Sequence, residues 1–284
     1  MTERLRPLWD FADLDASEER FRAQLSRETT DEGRAEVLTQ LARIAGLRGE
    51  FDQGEQLIEE AEALAGDDLV ARTSVDLEHG RLRRSSGDVE AALPLFESAY
   101  ATALEADAYF IAADAAHMAA LATSGRAGFV TWTQRGIELA EEDDSAGYWL
   151  GPLLNNLGWE YYEAGELEQA LDAFERALRA RERDPSKLEP IALARYAVGK
   201  ALRGLGRPDE AIPLLEQAVA WTEREGAPDG WYHEELAEEY AAVGREGDAR
   251  EQARLAIPLL IEADPGFEAD EQRAGRVRAL ASST

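Results

Sequence analysis

The stretch LLNNLGWEYYEAGELEQALDAFERALRARERDP, residues 153–185, decides the fold. Its apolar residues recur at three and four, first as Leu154, Leu157 and Tyr161, then as Leu167, Ala170, Leu171, Phe174, Ala177 and Leu178. That spacing puts one apolar stripe on each of two helices. Gly165 falls between the two runs, where a first helix ends and the chain must turn. The segment is therefore a helical hairpin, with Asp184-Pro185 closing it.

Working outward, glycine returns at Gly49, Gly87, Gly125, Gly165, Gly206 and Gly244, at spacings of 38, 38, 40, 41 and 38. Seven residues before each stand Ala42, Gly80, Met118, Gly158, Gly199 and Ala237, and twelve after come Ala61, Ala99, Ile137, Ala177, Ala218 and Ala256. Small residues at fixed places allow close helix contact, and a fixed period means a stack of like units. The third unit departs from the pattern, and its Trp132 and Gly136 lie one residue out of register. Asp67-Asp68, Asp107, Asp143-Asp144 and Pro228-Asp229-Gly230 read as loops and N-caps between units. Asp15-Ala16-Ser17-Glu18-Glu19 opens a leading helix, and Phe267 to Ala281 forms a closing one.

The hairpin resembles a tetratricopeptide repeat, carried by Leu157-Gly158, Tyr161, Gly165, Ala170, Phe174 and Ala177. The fifth unit (Gly199, Leu202, Gly206, Ala211, Leu215, Ala218) and the sixth (Ala237, Tyr240, Gly244, Ala249, Ala256) follow it. The long repeats, and the string LNNLG, are similar to those of kinesin light chains and of bacterial peptide-sensing regulators. The resemblance implies an all-α, right-handed superhelical solenoid of about six helix-turn-helix repeats over residues 31–262. Residues 1–30 would form an N-terminal arm and capping helix, and residues 263–284 a C-terminal capping helix.

Composition excludes several functions. The 284 residues contain no cysteine, so thiolate catalysis, redox pairs and zinc fingers are ruled out, and a reducing, cytoplasmic compartment is expected. The 58 acidic against 30 basic side chains give a formal charge of −28, which repels nucleic acid. The most apolar run, Phe110 to Ala122, carries Asp114 and His117 and is too short for a membrane span.

Stacked hairpins leave the first helix of each pair lining an extended surface, where a partner binds. The resemblance places groove-facing residues about thirteen, ten, nine, six and three positions before each turn glycine. The last two places hold Arg43 and Gly46, Arg81 and Arg84, Ala119 and Ala122, Trp159 and Tyr162, Lys200 and Arg203, then Glu238 and Ala241. Arg43, Arg81, Arg84, Lys200 and Arg203 thus gather positive charge in an acidic chain, which suggests a protein or peptide ligand with acidic groups. Asn155 and Asn156 offer amides suited to an extended backbone, and the resemblance assigns that role to Asn156. Trp159 and Tyr162 are flat anchors, with Tyr196 and Trp231 extending the row. Each has a plainer alternative: the cations pair with neighbouring carboxylates, and the aromatics pack between repeats.

No catalytic constellation stands out. His233-Glu234-Glu235-Leu236-Ala237 has Ala237 where a zinc-protease helix needs its second histidine. No phosphate loop or nucleophile elbow occurs. His79 and His117 are expected to face the core. The expected function is a non-catalytic scaffold needing no cofactor or metal, with two alternatives: a peptide-sensing regulator acting through a partner, or a self-assembling protein using Trp9, Phe11 and the terminal helix.

Overall fold

A computed structural model describes residues 2 and 4–282. Among these residues there are fourteen α-helices and no strand, and the chain divides into two compact units, Met1–Leu153 and Leu154–Thr284. The first unit holds a 3-10 turn at Arg6–Leu8, helix α1 (Leu14–Leu25), and the hairpins α2 (Asp31–Arg48) with α3 (Phe51–Ala65), α4 (Leu69–Ser85) with α5 (Val89–Glu105), and α6 (Tyr109–Ala122) with α7 (Arg126–Glu142). A second 3-10 turn, Asp144–Trp149, leads into α8 (Leu150–Glu163), inside which the division falls. The second unit continues with α9 (Leu167–Glu182), α10 (Leu188–Gly204), α11 (Pro208–Arg224), α12 (Gly230–Ala242), α13 (Glu246–Ala263) and α14 (Glu271–Ser282).

Local chemistry explains the boundaries. The Asp68, Asp88 and Asp229 side chains accept backbone N–H groups of the first turns that follow them, satisfying donors with no partner inside the helix. The leading helix is capped two residues earlier than expected, by Asp13 rather than Asp15. Gly165 sits at φ 76°, where a side chain would clash with its own backbone, and this left-handed residue turns α8 into α9. Gly158 serves another purpose: a Cβ there would lie 2.4 Å from the Phe174 ring, so only glycine lets that ring pack against α8.

The small residues twelve after each turn glycine are all buried, including Ile137 of the third hairpin. The first unit packs Leu5, Phe21, Leu38, Ile44 and Ile58 together, and beside them Leu77, Phe96, Ile111 and Trp132. The second packs Phe174, Ile191, Val198, Leu215 and Tyr232, then Leu260, Phe267 and Val277 under α14. In the third hairpin α6 stops three residues before Gly125, and α7 starts one residue after it, where the other second helices start two after. That one-residue offset brings Gly136 under Leu153. No helix among the described residues is long and apolar enough to cross a membrane.

Candidate binding faces on the first helices

In the first unit the expected cations are present but engaged. The Arg81 guanidinium lies between Glu78, at 2.6 Å, and Asp114, with which it also pairs. Arg43 stands 3.7 Å from the same Glu78 carboxylate, to which Gln40 Nε2 donates at 3.4 Å. Glu78 is 0% and Asp114 2% exposed, so this is an interior network. Burial pushes the Asp114 carboxyl up, but the adjacent Arg81 outweighs it and holds Asp114 below the usual carboxylate range. Burial lowers Arg43, helped by the neighbouring charge of Arg81. Arg81 therefore faces carboxylates of its own chain, the plainer of the two readings of this cation. Arg84 donates from Nε to the Leu121 carbonyl at 3.4 Å.

Ala119 and Ala122 are buried and supply no polar chemistry. In α6 the carboxylate that pairs with α4 is Asp114, five positions before Ala119. His117 lies against Trp149, ring centroids 5.4 Å apart, and burial lowers its pKa to about 4. It is a neutral, structural imidazole at neutral pH, as is consistent with its expected inward place. His79 instead contacts Glu55 at 3.2 Å.

The second unit is organised differently. Trp159 and Tyr162 are half-buried and meet edge to face at 5.5 Å, with Trp159 also resting on Phe174 at 5.1 Å. Asn155 and Asn156 are half-buried one turn earlier, and Asn155 Oδ1 has no hydrogen-bond partner. Lys200 and Arg203 on α10 converge on one carboxylate, Glu235 of α12, with Lys200 Nζ 3.3 Å away and Arg203 in direct contact. Tyr196 departs from expectation: it is buried and stacked on Tyr232 at 4.8 Å, so it belongs to the core. Trp231 packs beside the same cluster.

The residues missed were the counter-charges. Nine places before the turn glycines stand Gln40, Glu78, Ala116, Asn156, Ala197 and Glu235. In two cases, Arg43 with Glu78 and Lys200 with Glu235, a cation six places before one glycine meets the residue nine places before the next. Tabulating that place beside the cations would have revealed the pairing. Asn156 occupies it without a carboxylate.

Glu239 is the strained member of the group. It is 0% exposed, neither carboxylate oxygen has a partner, and burial with Glu235 nearby pushes it up to about 7. Since the folded pKa exceeds the unfolded one, the folded state binds the extra proton between these values and stability declines as pH rises through about 7. Glu239→Gln is expected to stabilise the protein by about 2 kcal/mol at pH 8 and to have no effect below about pH 4. Urea unfolding at the two pH values checks this.

Among the described residues no group of three or more His, Asp or Glu could hold a metal ion. Residues 152–184 and 192–224 each match the tetratricopeptide repeat. With the helical hairpins on either side, these matches make the chain similar to tetratricopeptide-repeat solenoids. Its structure is similar to that of the apo form of RapI, at TM-score 0.72 and 12% identity, covering 94% of this chain and 76% of that one. It is also similar to PH0952 from Pyrococcus horikoshii, a signal transduction ATPase with a tetratricopeptide repeat sensor (TM-score 0.72, 15% identity, 99% of this chain and 44% of that one). A third similar structure is the apo quorum sensor NprR from B. thuringiensis (TM-score 0.58, 13% identity, 98% and 86%). At such identities the likeness is one of fold. No curated protein sequence matches the chain.

Proposed function

We propose that the chain is a non-catalytic scaffold that captures an extended protein or peptide segment on the first-helix face of its second unit. Asn156 holds the segment's backbone, Trp159 and Tyr162 supply apolar contact, and Lys200 and Arg203 receive its carboxylates. The observation that carries this reading is the convergence of Lys200 and Arg203 on Glu235. A ligand carboxylate completes that group without breaking the pair already there. A second reading, a sensor that passes ligand occupancy to a partner, is favoured by the fold shared with the quorum sensor NprR and with the PH0952 sensor.

The test uses a partner recovered by affinity purification at two salt concentrations and then titrated as a pure component. Asn156→Ala with Arg203→Ala is expected to weaken binding by about 30–1,000-fold, because each truncation at an interface centre costs about 1–2 kcal/mol. Lys200 remains on Glu235, so the fold is retained. Unchanged affinity would discard the assignment.

A further inference from the structure

In the first unit the first-helix face is covered by residues 4–11 of the chain itself, and the contacts define a seat. The Arg4 guanidinium reaches Glu28 at 2.6 Å, Glu36 at 3.1 Å and the Gly33 carbonyl at 3.3 Å. Leu5, 1% exposed, plugs the cluster around Phe21. Arg6 lies over the Tyr148 ring at 4.1 Å and the Phe110 ring at 5.8 Å. Trp149 packs against both rings, at 5.4 and 5.8 Å, and its Nε1 is buried without a hydrogen-bond partner. Trp9 donates from Nε1 to Gln40 at 3.0 Å and stacks on Phe11, with Arg43 over both rings at 5.3 Å. Glu36, Gln40 and Arg43 are the thirteen-, nine- and six-before places of the first hairpin, so the arm rests on a face of the kind invoked above.

The chemistry of this seat is opposite to that of the second unit. Two carboxylates and an aromatic wall accept guanidinium groups, a pocket takes a leucine, and a carboxamide takes an indole N–H. The arm's ties to α2, α6 and the Asp144–Trp149 turn run through side chains. Its backbone bonds lie within the arm, as Leu8 N to Leu5 O and Trp9 N to Arg6 O, and to α1, where Leu8 O accepts from Arg20 Nε at 2.9 Å and Asp10 N donates to Ser17 Oγ at 2.7 Å. Phe11, 58% exposed, and half-exposed Tyr148 mark an edge open to solvent.

We infer that this face is a binding site for a partner segment carrying arginine, leucine and a distal aromatic residue at the spacing of Arg4-Leu5-Arg6 and Trp9, and that the arm is its displaceable resident. The inference rests on the reading that first-helix faces capture extended segments, and gives the first unit a ligand class of its own. A tethered arm competes at millimolar effective concentration, so an outside segment binds well only when the arm is weakened.

The probe is a labelled peptide of residues 2–11, read by fluorescence anisotropy. Against full-length protein carrying Arg4→Ala, Arg6→Ala and Trp9→Ala, saturable binding is expected, at least about tenfold tighter than to the unaltered chain. Adding Glu36→Ala and Tyr148→Ala to the protein, or scrambling the peptide, is expected to abolish it. Absence of binding to a triple variant that melts like the parent would overturn the inference, as would equal binding of the scrambled peptide. If the triple variant and a chain lacking residues 1–11 both unfold, the arm is an integral part of the core and the inference also fails. Asn156→Ala with Arg203→Ala leaves this assay unchanged, so failure here is distinguishable from failure of the second-unit assignment.

Discussion

Replacing Arg81 by alanine is expected to lower the melting temperature of the first unit by on the order of 10 °C. The guanidinium is the nearest cation to two interior carboxylates, Glu78 and Asp114. Removing one partner of a buried ion pair costs about 3–5 kcal/mol, since the remaining charge stays out of water. At about 2–4 °C per kcal/mol for a unit of this size, the expected shift follows. Arg81→Met, which restores volume without charge, should recover little, whereas adding Glu78→Gln and Asp114→Asn should recover much of it. Scanning calorimetry reads all of these. An unchanged melting temperature would show that Arg81 is a ligand-facing group rather than part of the scaffold.

Phe174→Ala is expected to cost the second unit about 3–5 kcal/mol, the range for truncating a fully buried phenyl ring. Phe174 is 0% exposed, and its ring presses on Gly158 so closely that no Cβ fits there. The same ring supports Trp159 at 5.1 Å. Truncation therefore also frees Trp159 to turn, and partner affinity should fall together with stability. Denaturant unfolding gives the first quantity, and titration of the folded variant the second. A loss below about 1 kcal/mol would mean that the hairpin collapses into the gap and that the ring is not its keystone.

The fold was readable because packing and turning each leave a local trace. Gly158 lets a ring approach, Gly165 turns the chain, and Ala177 is buried against its neighbours; each need restricts the residue type at one place in every repeat. The shift in the third hairpin was visible in Trp132 and Gly136 for the same reason. The candidate faces were only half legible. Helical spacing placed Arg43, Arg81, Lys200 and Arg203 on one side of their helices, but the contacts of Arg43 with Glu78, Arg81 with Asp114, and Lys200 and Arg203 with Glu235 span 32–35 residues; only the Arg81 contact with Glu78 is local. Among 58 carboxylates, nothing local distinguishes Asp114 and Glu235. Tyr196 was misplaced because an amphipathic tyrosine suits a core stack and a binding face equally well. The seating of residues 4–11 on α2 depends on a chain reversal through α1, which helical spacing does not encode.

The account stands on partner capture by the first-helix face, and site-specific photocrosslinking tests it most directly. A photoreactive phenylalanine analogue at Tyr162 on α8 is compared with one at exposed Gln217 on the second helix α11. Adducts with the purified partner from position 162 and none from position 217 are predicted. Adducts from position 217 alone would place the partner on the opposite helices and contradict the account.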